Sequence, residues 1–282
     1  DLGALAGCGF DFGWRTPEEI QPMTFMSLVT VRDPAALKDY ISFWEGDLDR
    51  EKRLKAWQGF LAEIRRAGIE PSYGRATLFQ VRGPLLAIMV NHEYGVDPRD
   101  AKQVTEATIR GRAEVARIVK ALNRLGGVWE SLQLVASAEH IGVREGRRIH
   151  GIYKVTEDDL VRGATHADAA ARVKFGVDVH SFSREQNKKE AGLSHMGVKS
   201  KPYDIPIRAL IAKDVQGLLM AGRCISGDFL AHSSYRVTGN AVAMGESAGV
   251  VAALSARLGV LPQDVPWERA AELLKRGGTS PA

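Results

Sequence analysis

The segment LLMAGRCISG at residues 218–227 constrains the fold of this chain more than any other stretch. Its apolar run stops at Gly222 and Arg223, and small and polar residues follow, as they do where a buried strand ends beside a ligand. The sequence RVTGNAVAMGESAGVVAALSARLG at residues 236–259 then predicts a long helix. A strand, a turn and a helix in this order are typical of an α/β protein.

The predicted helix is rich in small residues, which would let a neighbouring backbone or a flat ring lie close to it. These residues are Ala241, Ala243, Gly245, Ser247, Ala248, Gly249, Ala252 and Ala253. Free N–H groups and the helix dipole at the N-terminus favour negative charge. Two interpretations stay open at this point: a cofactor site, or a βα unit whose small residues serve packing alone.

Other stretches predict elements outside this unit. The residues Leu54, Trp57, Leu61 and Ile64 make an apolar helical stripe that ends at Gly68. Residues 76–91 predict a hairpin that turns near Gly83.

The clearest of these further helices begins at Asp100, which forms a capping box with Gln103, and ends at Gly126 and Gly127. Residues 181–204 are charged and poor in large apolar residues, which predicts an exposed loop or lid. A final helix is predicted at Trp267–Arg276, ending at Gly277 and Gly278.

A longer stretch around this unit resembles a known family. The run IPIRALIAKDVQGLLMAGRCISGDFLAHSSYRVTGNAVAMGESAGVVAAL is similar to the C-terminal signature of the FAD-dependent oxidoreductase family with a glutathione-reductase-type cofactor fold. Upstream, the segments EHIGVREGRRIHGIYKVTEDDL, DPRDAKQVTEATIRGR and DLGALAG resemble further parts of that family. The resemblance covers nearly the whole chain, and residues 141–158 and 205–254 carry its most specific motifs.

The resemblance implies an α/β fold in three parts. Residues 1–20 would be the tail end of an FAD-binding domain, residues 21–204 a mixed α+β substrate or cap domain, and residues 205–282 the C-terminal part of the Rossmann-like FAD-binding domain. No GxGxxG occurs, since GCGFDFG has the wrong spacing and no strand before it. In the family this fingerprint precedes the matched segments. We therefore expect an N-terminal Rossmann segment, in a longer protein or in a partner chain, to supply the ADP-binding half.

The resemblance also implies cofactor contacts at the end of the predicted strand and at the start of the helix. The residues implied are Ala221, Gly222 and Arg223 against FAD, Ser226 and Asp228 near its ribityl or pyrophosphate part, and Thr238, Gly239 and Asn240 at the pyrimidine edge of the isoalloxazine ring. That edge gains negative charge on reduction, which suits a helix N-terminus. The alternative is structural, with Asp228 as a turn residue and Asn240 as a residue of the helix start.

Arg144, Arg147 and Arg148 form the densest basic cluster, on a segment predicted to be a strand. Alternation along a strand would send Arg144 and Arg148 to one face and Arg147 to the other. Because a guanidinium group can hold a carboxylate bidentately, we expect Arg144 and Arg148 to clamp an anionic substrate. A network of ion pairs with the acidic residues at 157–159 is the open alternative.

Three histidines, His180, His195 and His232, are candidates for proton transfer beside a flavin. His232 is the first choice, because it lies in the predicted turn AHSSYR, nearest the predicted ring, with Tyr235 and Arg236 next in line. His180 ends the segment GVDVH, which is similar to PIDIH in the family. A purely structural role is the alternative for each of the three.

Composition and charge argue against several other classes of function. The 38 basic and 34 acidic residues leave a net charge of +4, and the two signs are interleaved, so no nucleic-acid-binding surface is expected. Cys8 and Cys224 have neither a metal-binding nor a CxxC spacing, which predicts free thiols in a reducing, cytoplasmic compartment and no metal site. A membrane-spanning helix and a membrane partner are not expected, because the sequence has no apolar run of about 18 residues.

These observations predict an FAD-dependent oxidoreductase, or the part of one that lacks its ADP-binding half and is inactive alone. It would transfer a hydride between a small, anionic substrate and N5 of the flavin. The alternative is a non-catalytic subunit or scaffold that keeps the flavoprotein fold without bound cofactor. A flavoprotein that acts on RNA is a third alternative, and a homo-oligomer is compatible with each.

Overall fold

The structure, a computed structural model, describes residues 2–43, 49–190 and 193–276. Helices and strands are mixed along the chain, which confirms the predicted α/β class. The helices are α1 (Leu2–Leu5), α2 (Arg50–Arg66), α3 (Ala101–Leu125), α4 (Glu157–Arg162), α5 (Arg184–Glu190), α6 (Phe229–Tyr235), α7 (Thr238–Leu258) and α8 (Trp267–Arg276).

The strands are short, and several contain only two residues. They are β1 (Phe10–Asp11), β2 (Met26–Thr30), β3 (Ile41–Phe43), β4 (Thr77–Arg82), β5 (Leu85–Met89), β6 (Gln133–Ser137), β7 (Arg148–Ile149), β8 (Ala169–Val173), β9 (Val179–His180), β10 (Leu193–Ser194) and β11 (Tyr203–Pro206). Single turns of 3₁₀ helix cover Pro34–Leu37, Gly127–Trp129, Ile207–Ala209, Gly222–Cys224 and Pro262–Asp264.

The chain forms two compact units whose segments alternate along the sequence. Unit 1 consists of Asp1–Glu19, Glu145–Val179 and Ser194–Ala282, and unit 2 of Ile20–Arg144 and His180–Leu193. The division of the chain into FAD-binding and substrate domains is a functional one, and it stays a prediction.

Unit 2 is built around a mixed sheet. Among the described residues its strands run in the order β3-β4-β5-β2-β6. β4 and β5 form the hairpin that the sequence predicts at Gly83, and β2 pairs antiparallel with both β5 and β6. Helices α2 and α3 contact the sheet, and the apolar core includes the fully buried side chains of Phe60, Ile118 and Trp129.

The ends of α3 show why its sequence pattern predicts it well. The side chain of Asp100 accepts hydrogen bonds from the backbone N–H groups of Lys102 and Gln103, which have no partner within the helix. Gly126 ends the helix with a φ of +71°, a conformation that glycine adopts at little cost. α2 has the same kind of N-terminal cap at Asp49. Both helices are specified by residues close in sequence.

Unit 1 contains two antiparallel strand pairs in its described part, β1 with β7 and β8 with β11. α7 packs on β8, where the hydroxyl of Ser247 donates to the carbonyl of Ala170 over 2.7 Å, and α8 packs on α7. Both helices agree with their predicted bounds to within two residues. The predicted end of α8 at residues 277–278 lies outside the described residues. A Rossmann-like character of this unit stays a prediction.

The apolar run before Gly222 is not the strand that its sequence predicts. It makes one isolated β-bridge, between Leu219 and Ile211, with a further hydrogen bond from Met220 N–H to the carbonyl of Leu210. A strand needs a ladder of such bonds to a neighbour, and composition alone does not provide one. The predicted turn after this run is also different, since residues 229–235 form helix α6 with Asp228 as its N-cap.

Two further local predictions are wrong for related reasons. Residues 144–148 are not a continuous strand, because β7 contains only Arg148 and Ile149, paired with β1. The region 181–204 is not simply a loop, since its described residues include α5 and the start of β11. The hydroxyl of Ser183 accepts from the N–H of Gln186 at the start of α5, a cap that the charged composition concealed.

By length and composition alone, α7 could cross a membrane, which the sequence analysis did not expect. Only 17% of its apolar window is buried. The exposed residues recur at helical spacing and include Val242, Gly245, Gly249 and Ala252. Core helices of water-soluble proteins share this composition, so the composition by itself does not indicate a membrane span.

Candidate functional site

The loop after the apolar run lies directly against the first turn of α7. Gly222 is buried and has a φ of +75°, a conformation that L residues with side chains rarely adopt. A Cβ built at Gly222 would stand 3.5 Å from the Cβ of Ala241. The neighbouring Ala221 is half-buried and Arg223 is exposed. The structure therefore brings together residues 221–223 and the start of α7, as the sequence analysis expects.

The N-terminus of α7 is a set of hydrogen-bond donors. Its N-cap, Val237, makes no side-chain cap, and the first backbone bond into the helix runs from Ala241 N–H to the carbonyl of Val237. Thr238 and Gly239 are exposed, and a Cβ added at Gly239 would meet nothing within 4 Å. Helix N-terminal N–H groups in this position favour an acceptor with negative charge.

Asn240 adds a donor of a different kind. Its Nδ2 is buried and has no hydrogen-bond partner among the described residues. Buried amide nitrogens are rarely left in this state, so this atom can donate to an acceptor from outside the described residues. The pyrimidine edge of a flavin carries carbonyl oxygens and a ring nitrogen that accept hydrogen bonds. Asn240, the helix N-terminus and the bare backbone at Gly222 thus fit the predicted ring.

Ser226 and Asp228 have structural partners. Ser226 is 3% exposed, and its Cβ would stand 2.8 Å from a Cβ added at Gly151. The two oxygens of Asp228 accept from the N–H of Ala231 in α6, over 2.8 Å, and from the N–H of Glu157 in α4, over 2.7 Å. Asp228 thus caps α6 and ties it to α4. The geometry of these two residues agrees with the structural alternative.

Arg148 is a buried cation beside a cleft in unit 1. It is 3% exposed, and it donates to the carbonyls of Gly227 and Gly13 over 3.2 and 2.7 Å. Its Nη1 has no partner, and no carboxylate pairs with it in the described part of the chain. Arg148 lines a cleft of about 530 Å³ together with Asp228 and the aromatic side chains of residues 10, 12, 14 and 229. Such a cation can hold an anion.

Arg144 does not share a strand face with Arg148. It belongs to unit 2, and its Nη1 donates to the carbonyl of Pro22 over 2.6 Å and to the hydroxyl of Thr24 over 2.8 Å. The clamp predicted from strand alternation required both arginines on one strand. β7 is too short to provide that strand, since it begins at Arg148.

His232 is fully buried within α6. Burial, together with the nearby charges of Arg236, Arg148 and Arg223, holds the pKa of its imidazole well below the ordinary value. The carbonyl of Arg223 approaches the ring, but neither ring nitrogen makes a hydrogen bond of normal geometry within the described structure. The ring meets Tyr235 edge-on, with centroids 5.6 Å apart. The side chain is therefore a neutral imidazole at pH 7.

Tyr235 and Arg236, the next candidates after His232, both donate hydrogen bonds to backbone carbonyls of unit 1. Tyr235 is buried, and its hydroxyl donates to the carbonyl of Ile225 over 3.3 Å. The same hydroxyl would lie 2.5 Å from a Cβ at Gly227, so only glycine fits there. Arg236 donates to the carbonyl of Asp178 over 2.7 Å.

The other two candidate histidines lie in different surroundings. His195 is in unit 1, with its Nδ1 2.6 Å from the carbonyl of Val177. His180 is in unit 2, is 4% exposed, and its backbone N–H donates to the side chain of Gln21. Its ring meets the ring of His92 edge-on at 5.0 Å.

His92 and the buried polar residues around it were missed by the sequence analysis. They comprise Ser72, Asn91, His92, Glu93 and Glu114 of unit 2, each 8% exposed or less. One signal was present, because the polar run NHEY at residues 91–94 comes one residue after the apolar strand β5. Ser72 and Glu114 could not be predicted as members of this polar group, because they are distant in sequence and meet residues 91–93 only in the folded unit.

No metal centre or disulfide accompanies these sites in the part of the chain that the structure describes. Over those residues, no group of three or more His, Cys, Asp or Glu side chains could hold a metal ion. Cys8 and Cys224 are free thiols, as predicted. Burial and the charge of Asp214 raise the pKa of Cys8, so this thiol is not activated.

Comparison with known proteins gives one match that covers almost the whole chain. The family model described as FAD dependent oxidoreductase matches residues 1–275. No individual curated protein matches the chain, and no solved structure does.

Proposed function

Because the chain belongs to the FAD-dependent oxidoreductase family, with FAD as its cofactor, we propose that it transfers a hydride between a small substrate and N5 of the flavin. We also propose that unit 1 is part of a Rossmann-like, glutathione-reductase-type FAD domain. One observation carries the proposal: the loop at Gly222 touches the first turn of α7, where the buried amide of Asn240 lacks a partner.

FAD supplies the hydride chemistry when it is bound. The chain's own residues bind and orient the ring. In this proposal the N–H groups at the start of α7 and the Nδ2 of Asn240 donate hydrogen bonds to the pyrimidine edge, and the positive end of the helix dipole stabilises the charge of the reduced form. Gly222 is buried and has no side chain, so the loop lies close to the first turn of α7, and in this proposal both border the ring.

Two further side chains of unit 1 have roles in the proposal. Arg148 holds an anionic group in the cleft through its unpartnered Nη1. His232 is kept neutral by burial and by three neighbouring arginines, and neutral imidazole is the form that accepts a proton. Since neither ring nitrogen makes a hydrogen bond of normal geometry among the described residues, we assign the proton-accepting step to this histidine.

We propose that a dinucleotide-binding Rossmann segment covers the exposed side of α7. Apolar helix faces of this kind are normally buried against another element. The glycines Gly245 and Gly249 on that side have nothing within 4 Å of an added Cβ, which leaves room for a closely packed backbone.

We place the protein in the cytoplasm, where free thiols such as Cys8 and Cys224 persist.

The proposal is tested by the FAD affinity of the full-length protein carrying Asn240→Ala. The loss of one hydrogen bond to the ring should weaken binding about five- to tenfold, measured by quenching of flavin fluorescence on titration. The matched control is Gln263→Ala. Gln263 is exposed and lies in the 3₁₀ turn that follows the C-terminal end of α7, so its loss should leave FAD affinity unchanged. Equal affinities for wild type and Asn240→Ala would contradict the proposed orientation.

The rival interpretation, a scaffold without bound cofactor, predicts a different result. It is favoured by Ser226 and Asp228, whose contacts are those of packing and helix capping. A scaffold would bind no FAD, either as the wild type or as the Asn240→Ala variant, whereas the proposed enzyme binds one FAD per chain.

A further inference from the structure

Unit 2 contains a cleft of about 580 Å³ that the proposed flavin site does not use. His92, Glu93, Tyr94, Glu114, Arg117 and Arg184 are among the residues that line it. It combines side chains that are almost fully buried with arginines at its rim. In small-ligand sites, convergent polar and charged groups fix the orientation of the ligand and select it, and this cleft offers such groups.

The two carboxylates in the wall are already satisfied. Glu114, which is 5% exposed, accepts from the N–H and the hydroxyl of Ser72 and from Nδ2 of Asn91, at 2.7, 2.5 and 2.6 Å. Glu93 accepts from Asn91 over 2.9 Å and from Nε of Arg110 over 2.8 Å. Glu93 is thus paired with Arg110, whereas the donors around Glu114 are neutral, so the negative charge of Glu114 remains and offsets part of the positive charge of the other cations.

Those cations are Arg117 and Arg184. Both side chains are exposed, and neither has an ion-pair partner or hydrogen bond among the residues that the structure describes. Glu93 and Arg110 compensate one another, and Glu114 is enclosed by neutral donors. The three arginines and two glutamates of the lining leave one net positive charge, and the two guanidinium groups outside ion pairs favour an anion such as a carboxylate or a phosphate.

The hydrogen bonds of Tyr94 determine the tautomer of His92. The Tyr94 hydroxyl donates its one proton to the carbonyl of Ser72 over 2.9 Å. Its oxygen, 3.3 Å from Nδ1 of His92, must then accept, so Nδ1 carries the ring proton. Nε2 consequently holds a lone pair. His92 is 2% exposed, and Nε2 has no partner within the described residues.

A buried acceptor such as Nε2 of His92 costs desolvation free energy unless a hydrogen-bond donor, here from a ligand, satisfies it. Burial and the charges of Arg144 and His180 lower the pKa of His92 well below its ordinary value, so protonation does not remove the lone pair at neutral pH. A ligand that satisfies this atom must bring a hydroxyl or an amine as donor. The arginines require that the same ligand also be an anion.

We propose that this cleft binds a small carboxylate bearing a hydroxyl or amino group, with the carboxylate on Arg117 and Arg184 and the hydrogen-bond donor on Nε2 of His92. The binding step does not depend on the flavin proposal. It assigns to unit 2 a ligand class that the FAD site alone does not define.

The test compares L-malate with succinate, which differ by one hydroxyl group, by isothermal titration calorimetry on the full-length protein at pH 7.5. We expect L-malate to bind about tenfold more tightly than succinate, since a site built to hydrogen-bond a hydroxyl rejects the analogue that lacks it. Inorganic phosphate is the third probe and should bind more weakly than L-malate. Equal binding of malate and succinate, tighter binding of phosphate, or no binding of any probe would overturn the proposal.

Variants separate the two parts of the site. Arg117→Gln and Arg184→Gln should each weaken the binding of malate and of succinate alike, about tenfold. The control Arg82→Gln removes an exposed cation of β4 that does not line the cleft, and it should change the binding of neither ligand.

The His92 variants test the second part of the site. His92→Asn keeps a donor toward Tyr94 but removes the acceptor at the Nε2 position, so malate should lose its advantage over succinate. His92→Gln restores an acceptor there and should recover part of it. An unchanged malate preference in His92→Asn would overturn the assignment, and if that variant does not fold, the arginine variants and the three probes decide.

Discussion

Two buried histidines, His92 and His232, make the stability of the fold depend on pH. Burial lowers the pKa of each ring well below its ordinary value of about 6.5. As pH falls below about 6.5, the unfolded chain takes up protons at both rings while the folded chain does not. The stabilisation is thus complete above that pH and is lost progressively as pH falls toward the lowered pKa of the folded state.

We expect the free energy of unfolding to fall by roughly 1 kcal/mol for each of the two histidines between pH 7.5 and pH 5.5. Urea denaturation at the two pH values measures it. His92→Gln and His232→Gln should each remove about half of the pH-dependent loss, and His140→Gln, at an exposed position, should leave it unchanged. A loss that persists in full in the double variant would show that other groups cause it.

Among the helices, α7 has an exposed, apolar side on which a further protein segment could pack. Gly245 has nothing within 4 Å of an added Cβ, so Gly245→Leu should not lower the melting temperature of the 282-residue chain. If a dinucleotide-binding segment packs on this side, the same substitution should reduce FAD uptake by the full-length protein at least about tenfold, measured by visible absorption.

The control for that substitution is Ala62→Leu, which adds the same kind of bulk at an exposed position of α2. It should change neither the melting temperature nor FAD uptake. Full FAD uptake by Gly245→Leu would mean that the exposed side of α7 remains uncovered in the loaded protein, and the proposed packing would then be wrong.

The elements also show which parts of the fold can be predicted from sequence. The predictions of α2, α3, α7 and α8 are confirmed. α2 and α3 begin at capping aspartates, α7 ends at a glycine, Gly259, in the left-handed conformation, and α8 buries one face. Residues 218–220 have the composition of a strand but make one bridge only, because pairing depends on a neighbour that is distant in sequence. Local caps and patterns therefore predict the helices well, and composition predicts the short strands of unit 1 poorly.

For the whole molecule, the family and its cofactor follow from motifs that are continuous in the sequence, and the match to residues 1–275 confirms both. The polar wall around His92 could not be predicted in the same way. Its members Ser72, Asn91 and Glu114 are joined by hydrogen bonds that exist only after unit 2 has folded. Local patterns can identify His92 as a polar residue after a strand, but they cannot predict its tautomer or its free lone pair.

We propose that the loop at Gly222 and the first turn of α7 together hold the isoalloxazine ring. An experimental structure of the full-length protein loaded with FAD tests it most directly. We predict the pyrimidine edge within hydrogen-bonding distance of Asn240 Nδ2, about 2.9 Å, with the ring against the backbone of Gly222. An isoalloxazine bound elsewhere, with Asn240 still lacking a partner, would contradict the account.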